Sequence, residues 1–82
     1  MNMKSNAMTL EEIIASALSL SINELDDSKE FNSLAGWDSM THMILITDME
    51  SAFGVELSGD EIADMRTIGD ARRILKNHGA AV

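Results

Sequence analysis

Gly36-Trp37-Asp38-Ser39-Met40-Thr41-His42-Met43-Ile44-Leu45-Ile46 is the stretch on which the reading of this chain turns. Asp38 and Ser39 are residue types that start helices, because a short polar side chain can accept from the unpaired backbone N–H groups of a first turn. The apolar residues Met40, Met43, Ile44, Leu45, Ile46, Met49, Ala52 and Phe53 follow, and Gly54 suits the left-handed position that ends a helix. A helix is therefore predicted from Asp38-Ser39 to about Phe53. Its apolar positions are broader than a single stripe. Such a helix is either buried around much of its circumference or presents apolar surface to a partner.

The rest of the fold is read outward from this helix. Toward the N-terminus, Leu10, Ile13, Ile14, Ala17 and Leu18 make one apolar stripe at helical spacing. Thr9 and Glu12 have the spacing of a capping box, so a first helix is expected from about residue 10 to about 20. A long polar connection runs from Ser21 to about Trp37, and a connection of that length is unusual in a small domain. Ile22, Leu25, Phe31 and Leu34 are spaced through it and are expected to pin it to the core.

Toward the C-terminus, Val55-Glu56-Leu57 reads as a short extended link. Ser58 with Glu61, and Thr67 with Asp70, repeat the capping-box spacing. They predict a short helix to about Met65 and a last helix through about Asn77. Ile68, Ala71, Ile74 and Leu75 form the buried face of the last helix, and Arg72, Arg73 and Lys76 are expected to complement the negative end of its dipole. The expected fold class is all-α: a four-helix bundle of three longer helices and one short one, with a long loop between helices one and two and no strands. The domain is expected over residues 9–78, with a short tail at 79–82. Residues 1–8 are read as a flexible N-terminal tail in which Ser5-Asn6-Ala7 ahead of Met8 resembles an expression-tag remnant.

Composition narrows the function. The chain has 82 residues, enough for one domain with a small core and too few for a deep active site. It has no cysteine, which removes disulfides, Cys-ligated zinc and thiol catalysis, and its two histidines, His42 and His78, are too few for a His-built metal site. No nucleophile–base pair is visible, so an enzyme is not expected. The formal net charge is −8. Residues 5–64 hold every acid except Asp70 and only one base, Lys29, whereas Arg66, Arg72, Arg73 and Lys76 follow. An acidic surface repels nucleic acid and anionic membranes and attracts basic protein patches, although solubility alone accounts for it equally well. No membrane span or signal-peptide core is present, and a cytoplasmic monomer is expected. The EF-hand calcium loop pattern is missing. Weak divalent binding by Asp26, Asp27 and Glu30 stays open.

Asp38-Ser39-Met40 resembles the Asp-Ser-Leu/Met motif of acyl and peptidyl carrier proteins. The surroundings resemble that family too: a first helix, a long loop, the motif opening helix two, Phe53-Gly54-Val55-Glu56-Leu57 closing it, a short helix, and Thr67-Ile68-Gly69-Asp70 opening the last. The resemblance covers residues 9–77. It implies that Ser39 receives 4′-phosphopantetheine from coenzyme A through a separate Mg²⁺-dependent phosphopantetheinyl transferase. The thiol of that arm would hold acyl or aminoacyl groups as thioesters for partner enzymes of fatty-acid, polyketide or other specialised biosynthesis. It implies that Asp38 supports recognition or metal contact in the transferase complex, a role compatible with capping the helix, and that Met40 packs beside the arm or meets the transferase unless it belongs to the core.

Gly-Trp-Asp-Ser is similar to carriers of specialised pathways, whereas fatty-acid carriers usually have a small residue in place of Trp37. Helix two of those carriers is dense in acids, while here no acid follows Asp38 until Asp48. Glu50 matches one acidic docking position, and Ile44 and Ser51 replace others. Asp48, Glu50, Met43 and Ile44 are the candidate partner-docking residues, with a core position the favoured reading for Met43. Trp37 is expected to pack over the loop, the alternative being a place near the arm, and His42 to be an exposed helix residue, the alternative being a group that titrates near neutral pH and senses the phosphate. The competing reading is an unmodified acidic helical adaptor for a basic protein partner, in which Ser39 only caps.

Overall fold

Each of the four helices among the described residues begins on a side-chain cap. The computed structural model describes residues 9–82, and the N-terminal tail read at 1–8 lies outside the described residues. The helices are α1 (Leu10–Leu18), α2 (Ser39–Phe53), α3 (Gly59–Asp64) and α4 (Ile68–Asn77). Complete capping boxes form at Thr9/Glu12, Ser58/Glu61 and Thr67/Asp70, so two otherwise unpaired first-turn donors are satisfied reciprocally at each. α1 stops at Leu18, where its apolar stripe ends and about two residues short of the expected end. Ser19 takes a left-handed conformation (φ 58°), and the N–H groups of Ser19 and Leu20 both close on the Ala15 carbonyl.

Most of the core comes from three helices: Leu10, Ile13, Ile14 and Leu18 of α1, Leu45, Ile46 and Met49 of α2, and Ile68, Ala71, Ile74 and Leu75 of α4. Burying one such aliphatic side chain contributes about 1.5–3 kcal/mol. Leu57 and Met65 seal the ends of the α2–α3–α4 connections, while α3 itself contributes only the partly buried Ile62.

The long loop between α1 and α2 is organised rather than slack. Two single 3₁₀ turns, Ile22–Glu24 and Phe31–Ser33, punctuate it. The first carries a capping box of its own, Ser21/Glu24, that the sequence reading did not separate from the surrounding loop. Leu25, Phe31 and Leu34 are buried as expected, but Ile22 is 47% exposed and does not pin the loop. Backbone bonds to the α3–α4 junction do that work instead. Phe31 N donates to Arg66 O at 2.9 Å, Ile68 N to Lys29 O at 3.0 Å and Gly69 N to Asp27 O at 2.9 Å. Among the described residues no strand forms, and the pairing amounts to one antiparallel bridge, Glu30 with Thr67.

Arg72 and Arg73 differ from expectation. Neither lies in the last turn of α4, which holds Lys76. Arg72 instead pairs with Glu11 of α1 and Asp27 of the loop, and Arg73 pairs with Asp70. Beyond α4, Ala80 N donates to Leu75 O at 3.0 Å, and Ala80 and Val82 pack on the core.

Candidate functional site

The chain reaches Ser39 through a tight turn. Gly36 has φ +84°, a conformation that L side chains rarely adopt, so glycine is favoured there and a substitution would be strained. Trp37 N then donates to Leu34 O at 3.2 Å. Asp38 is the N-cap of α2, and its Oδ1 accepts from Thr41 N at 2.8 Å. That backbone donor is the main cause that holds the Asp38 carboxyl below its ordinary value, so the group is ionised at neutral pH.

Ser39 is the first residue of α2 and is exposed. Its hydroxyl enters no hydrogen bond with the described residues, because the capping task has passed to Asp38. A free hydroxyl at the start of a helix lies at the positive end of the dipole, where an attached phosphodiester gains about 0.3–1 kcal/mol. The geometry thus fits a phosphate ester at Ser39: the oxygen is accessible, uncommitted and favourably placed.

Met40 follows at 75% exposure, so the core reading of this residue falls away. Met43 at 52% and Ile44 at 50% are also exposed, which corrects the expectation that Met43 faces the core. The three lie on one solvent face of α2 by their i, i+3, i+4 spacing, while Leu45, Ile46 and Met49 turn inward. The breadth of the apolar run therefore reflects two opposed faces, one buried and one open. Asp48 is exposed on this helix as well. Glu50 is half-buried, and its Oε2 accepts from Leu57 N at 2.8 Å, so this carboxylate fastens the α2–α3 link.

His42 is the residue whose surroundings the sequence concealed. It is half-buried rather than exposed, and burial pushes its pKa below the ordinary histidine value. Its Nδ1 accepts from Trp37 Nε1 at 3.2 Å. Its ring meets Trp37 edge-on at 5.6 Å between centroids and Phe31 edge-on at 5.3 Å. A tryptophan five residues before a histidine is no recognisable signal, because the loop, not helical periodicity, brings the pair together.

No group of three or more potential metal-ligating side chains is present among the described residues. Within the acidic loop Asp26 accepts from Ser28 N at 2.9 Å and Asp27 is engaged by Arg72, so both carboxylates have partners. A cavity of about 530 Å³ opens between Leu10, Phe53, Arg72 and Val82. It borders the far end of α2, roughly 20 Å along the helix from Ser39 at 1.5 Å per residue.

Comparison with known proteins agrees with this geometry. Residues 9–74 match the family described as the phosphopantetheine attachment site. The chain is 38% identical over 74 residues to a non-reducing polyketide synthase of Pseudocercospora fijiensis, covering 90% of this chain and 4% of that much longer protein. It is 31% identical over 61 residues to an acyl carrier protein of Exiguobacterium sibiricum (74% of this chain, 77% of the relative) and 28% identical over 68 residues to one of Arthrobacter sp. (83% and 84%). The chain belongs to the phosphopantetheine-binding family of acyl carrier proteins. The domain that defines this family is a carrier, not a catalyst, and the group it carries is covalently bound 4′-phosphopantetheine. No helix among the described residues is long and apolar enough to cross a membrane.

Proposed function

We propose that Ser39 is the phosphopantetheine attachment residue and that the chain serves as the acyl carrier of a specialised pathway, polyketide assembly being the best supported. The observation that carries the site is the state of Ser39: an exposed, uncommitted hydroxyl at the first position of α2, inside Asp38-Ser39-Met40 and within the family match. When bound, the arm supplies a thiol that holds an acyl or aminoacyl group as a thioester. This chain has no cysteine to supply that sulfur itself. In this reading Ser39 Oγ holds the phosphate, and the first turn of α2 favours its charge. Asp38 keeps that turn formed, and Met40 offers apolar contact beside the arm or to the transferase.

The polyketide assignment is supported by the synthase match, which is closer in identity than the bacterial acyl carrier proteins named above. Partner enzymes would dock on the open face of α2 through Met40, Met43 and Ile44, with Asp48 giving charge to the contact and Glu50 a secondary part. Cytoplasmic location and a monomeric state belong to the same reading.

The test is the intact mass of the protein before and after incubation with a broad-specificity phosphopantetheinyl transferase, Mg²⁺ and coenzyme A. The wild type should gain one phosphopantetheine group, and Ser39→Ala should gain none while keeping its helical circular dichroism. A folded wild type that stays unmodified beside a control carrier that reacts would instead favour an unmodified acidic adaptor.

A further inference from the structure

The serine sits inside a small closed ring of the chain. Trp37 stands two residues before Ser39 and His42 three residues after it. The two side chains meet through Trp37 Nε1–H and His42 Nδ1 at 3.2 Å. On the backbone side, His42 N donates to Asp38 O at 2.9 Å. The imidazole also rests edge-on against Phe31, which is 1% exposed and anchored by its own N–H to Arg66 O at 2.9 Å. His42 therefore links the core, through Phe31, to the last residues of the loop before Ser39. Apart from Trp37 N on Leu34 O, this is the hydrogen bond that ties Trp37 down among the described residues.

We infer that His42 is a positioning residue for the modification at Ser39: by accepting the Trp37 indole N–H, it fixes the turn that presents the serine to the modifying enzyme. The inference rests on the Ser39 reading above. An indole nitrogen can only donate, so Nδ1 must be unprotonated and the ring proton sits on Nε2. An imidazolium would turn a second N–H toward the indole N–H and break the ring open. The environment favours the neutral form. Burial opposes the charge. The Asp38 carboxylate is committed to Thr41 N, and neither Glu30 nor Arg66, which flank the Phe31 contact, hydrogen-bonds the imidazole.

The experiment compares wild type with His42→Leu, Trp37→Phe and His42→Asn, whose side-chain oxygen can take the place of Nδ1 as acceptor. Removing either partner should lower the transferase kcat/KM for this carrier about fivefold to tenfold, the worth of one neutral hydrogen bond, and His42→Asn should restore it to within about twofold. The ratio of wild-type to His42→Asn rates should fall as pH drops below the ordinary histidine value of 6.5, a comparison that cancels the transferase's own pH dependence. Trp37 is the sole tryptophan, so its fluorescence should titrate with the same midpoint in wild type and stay flat in His42→Asn. Wild type that gains no mass would overturn the Ser39 reading and this inference with it. Wild type that is modified, with unchanged rates in His42→Leu and Trp37→Phe or with a pH-independent emission, would overturn this inference alone.

Discussion

Arg72 Nε donates to Asp27 Oδ1 at 3.1 Å, joining residues 45 positions apart and pinning the long loop to α4. The same guanidinium also reaches Glu11, so one side chain ties α1, the loop and α4 together. Its partners raise the already high pKa of Arg72, the Asp27 hydrogen bond most of all. The side chain is 20% exposed, which places the pair between a surface ion pair and a buried one. Arg72→Ala should cost about 1 kcal/mol, less than a fully buried pair and more than a free surface one. In a domain this small the melting temperature should then drop by about 4–8 °C. Arg73→Ala, which removes an exposed pair within α4, should change stability by less than about 0.5 kcal/mol. Urea titrations of both variants check the contrast.

The packing of Asp27 also constrains a glycine. A Cβ on Gly69 would stand 3.0 Å from Asp27 O and 3.2 Å from Asp27 Cβ, while Gly69 N already donates to that carbonyl at 2.9 Å. The obstacle is backbone, which cannot swing away as a side-chain tip could. Gly69→Ala should destabilise by about 1–3 kcal/mol. Gly59 begins α3 with nothing within 4 Å of its would-be Cβ, and Gly59→Ala should stabilise by about 0.4–1 kcal/mol. Thermal melts of the two alanine variants should move in opposite directions.

The cap of α2 makes a pH prediction. Asp38 has its pKa lowered in the folded state from 3.8, chiefly by Thr41 N–H. In the window between the folded and the ordinary pKa the unfolded chain binds more protons, so stability rises with pH there. The contribution is complete above about pH 4 and is lost as pH falls through the lower, folded value. Asp38→Asn keeps an acceptor for Thr41 N–H and should flatten that part of the acid limb. Asp26, Glu61 and Asp70 are lowered too, so the Asp38→Asn variant still loses stability toward acid, by less than the wild type. Urea unfolding of both proteins between pH 5 and pH 2 isolates the difference.

The open face of α2 should be free of a stability role. Met40, Met43 and Ile44 are each at least half exposed. Replacing Met43 or Ile44 by Gln should change the unfolding free energy by less than about 0.5 kcal/mol. The same change at Ile46, which is 1% exposed, should cost several times more, through a lost contact and a buried amide. If the open face is where partners dock, the Gln variants should also weaken transfer of cargo to an enzyme while leaving the Ser39 modification itself intact.

Local chemistry explains what was legible. Capping boxes at Thr9, Ser58 and Thr67 are written in i, i+3 polar pairs, and each opens a helix in the structure. Asp38-Ser39 and Gly54 bracket α2 for the same reason: a cap and a left-handed terminus need only the residues beside them. What stayed hidden depends on distant parts of the chain. Met43-Ile44-Leu45-Ile46 is apolar without a break, so its periodicity cannot say that the first two face solvent and the last two the core. Ile22 is as apolar as Leu25, yet the backbone bonds of residues 27–31 to the α3–α4 junction hold the loop without it. Arg72 reads as a C-terminal helix cation until the loop brings Asp27 to it, and His42 reads as a surface residue until Phe31 and Trp37 close over it.

The most direct test of the account is where the phosphopantetheine sits after transferase treatment. Trypsin would release a fragment spanning residues 30–66 that carries Ser33, Ser39, Ser51 and Ser58, and tandem mass spectrometry of that fragment locates the group. The account predicts a single modification, on Ser39. Modification at Ser33, Ser51 or Ser58, or a loaded Ser39→Ala protein, would contradict it.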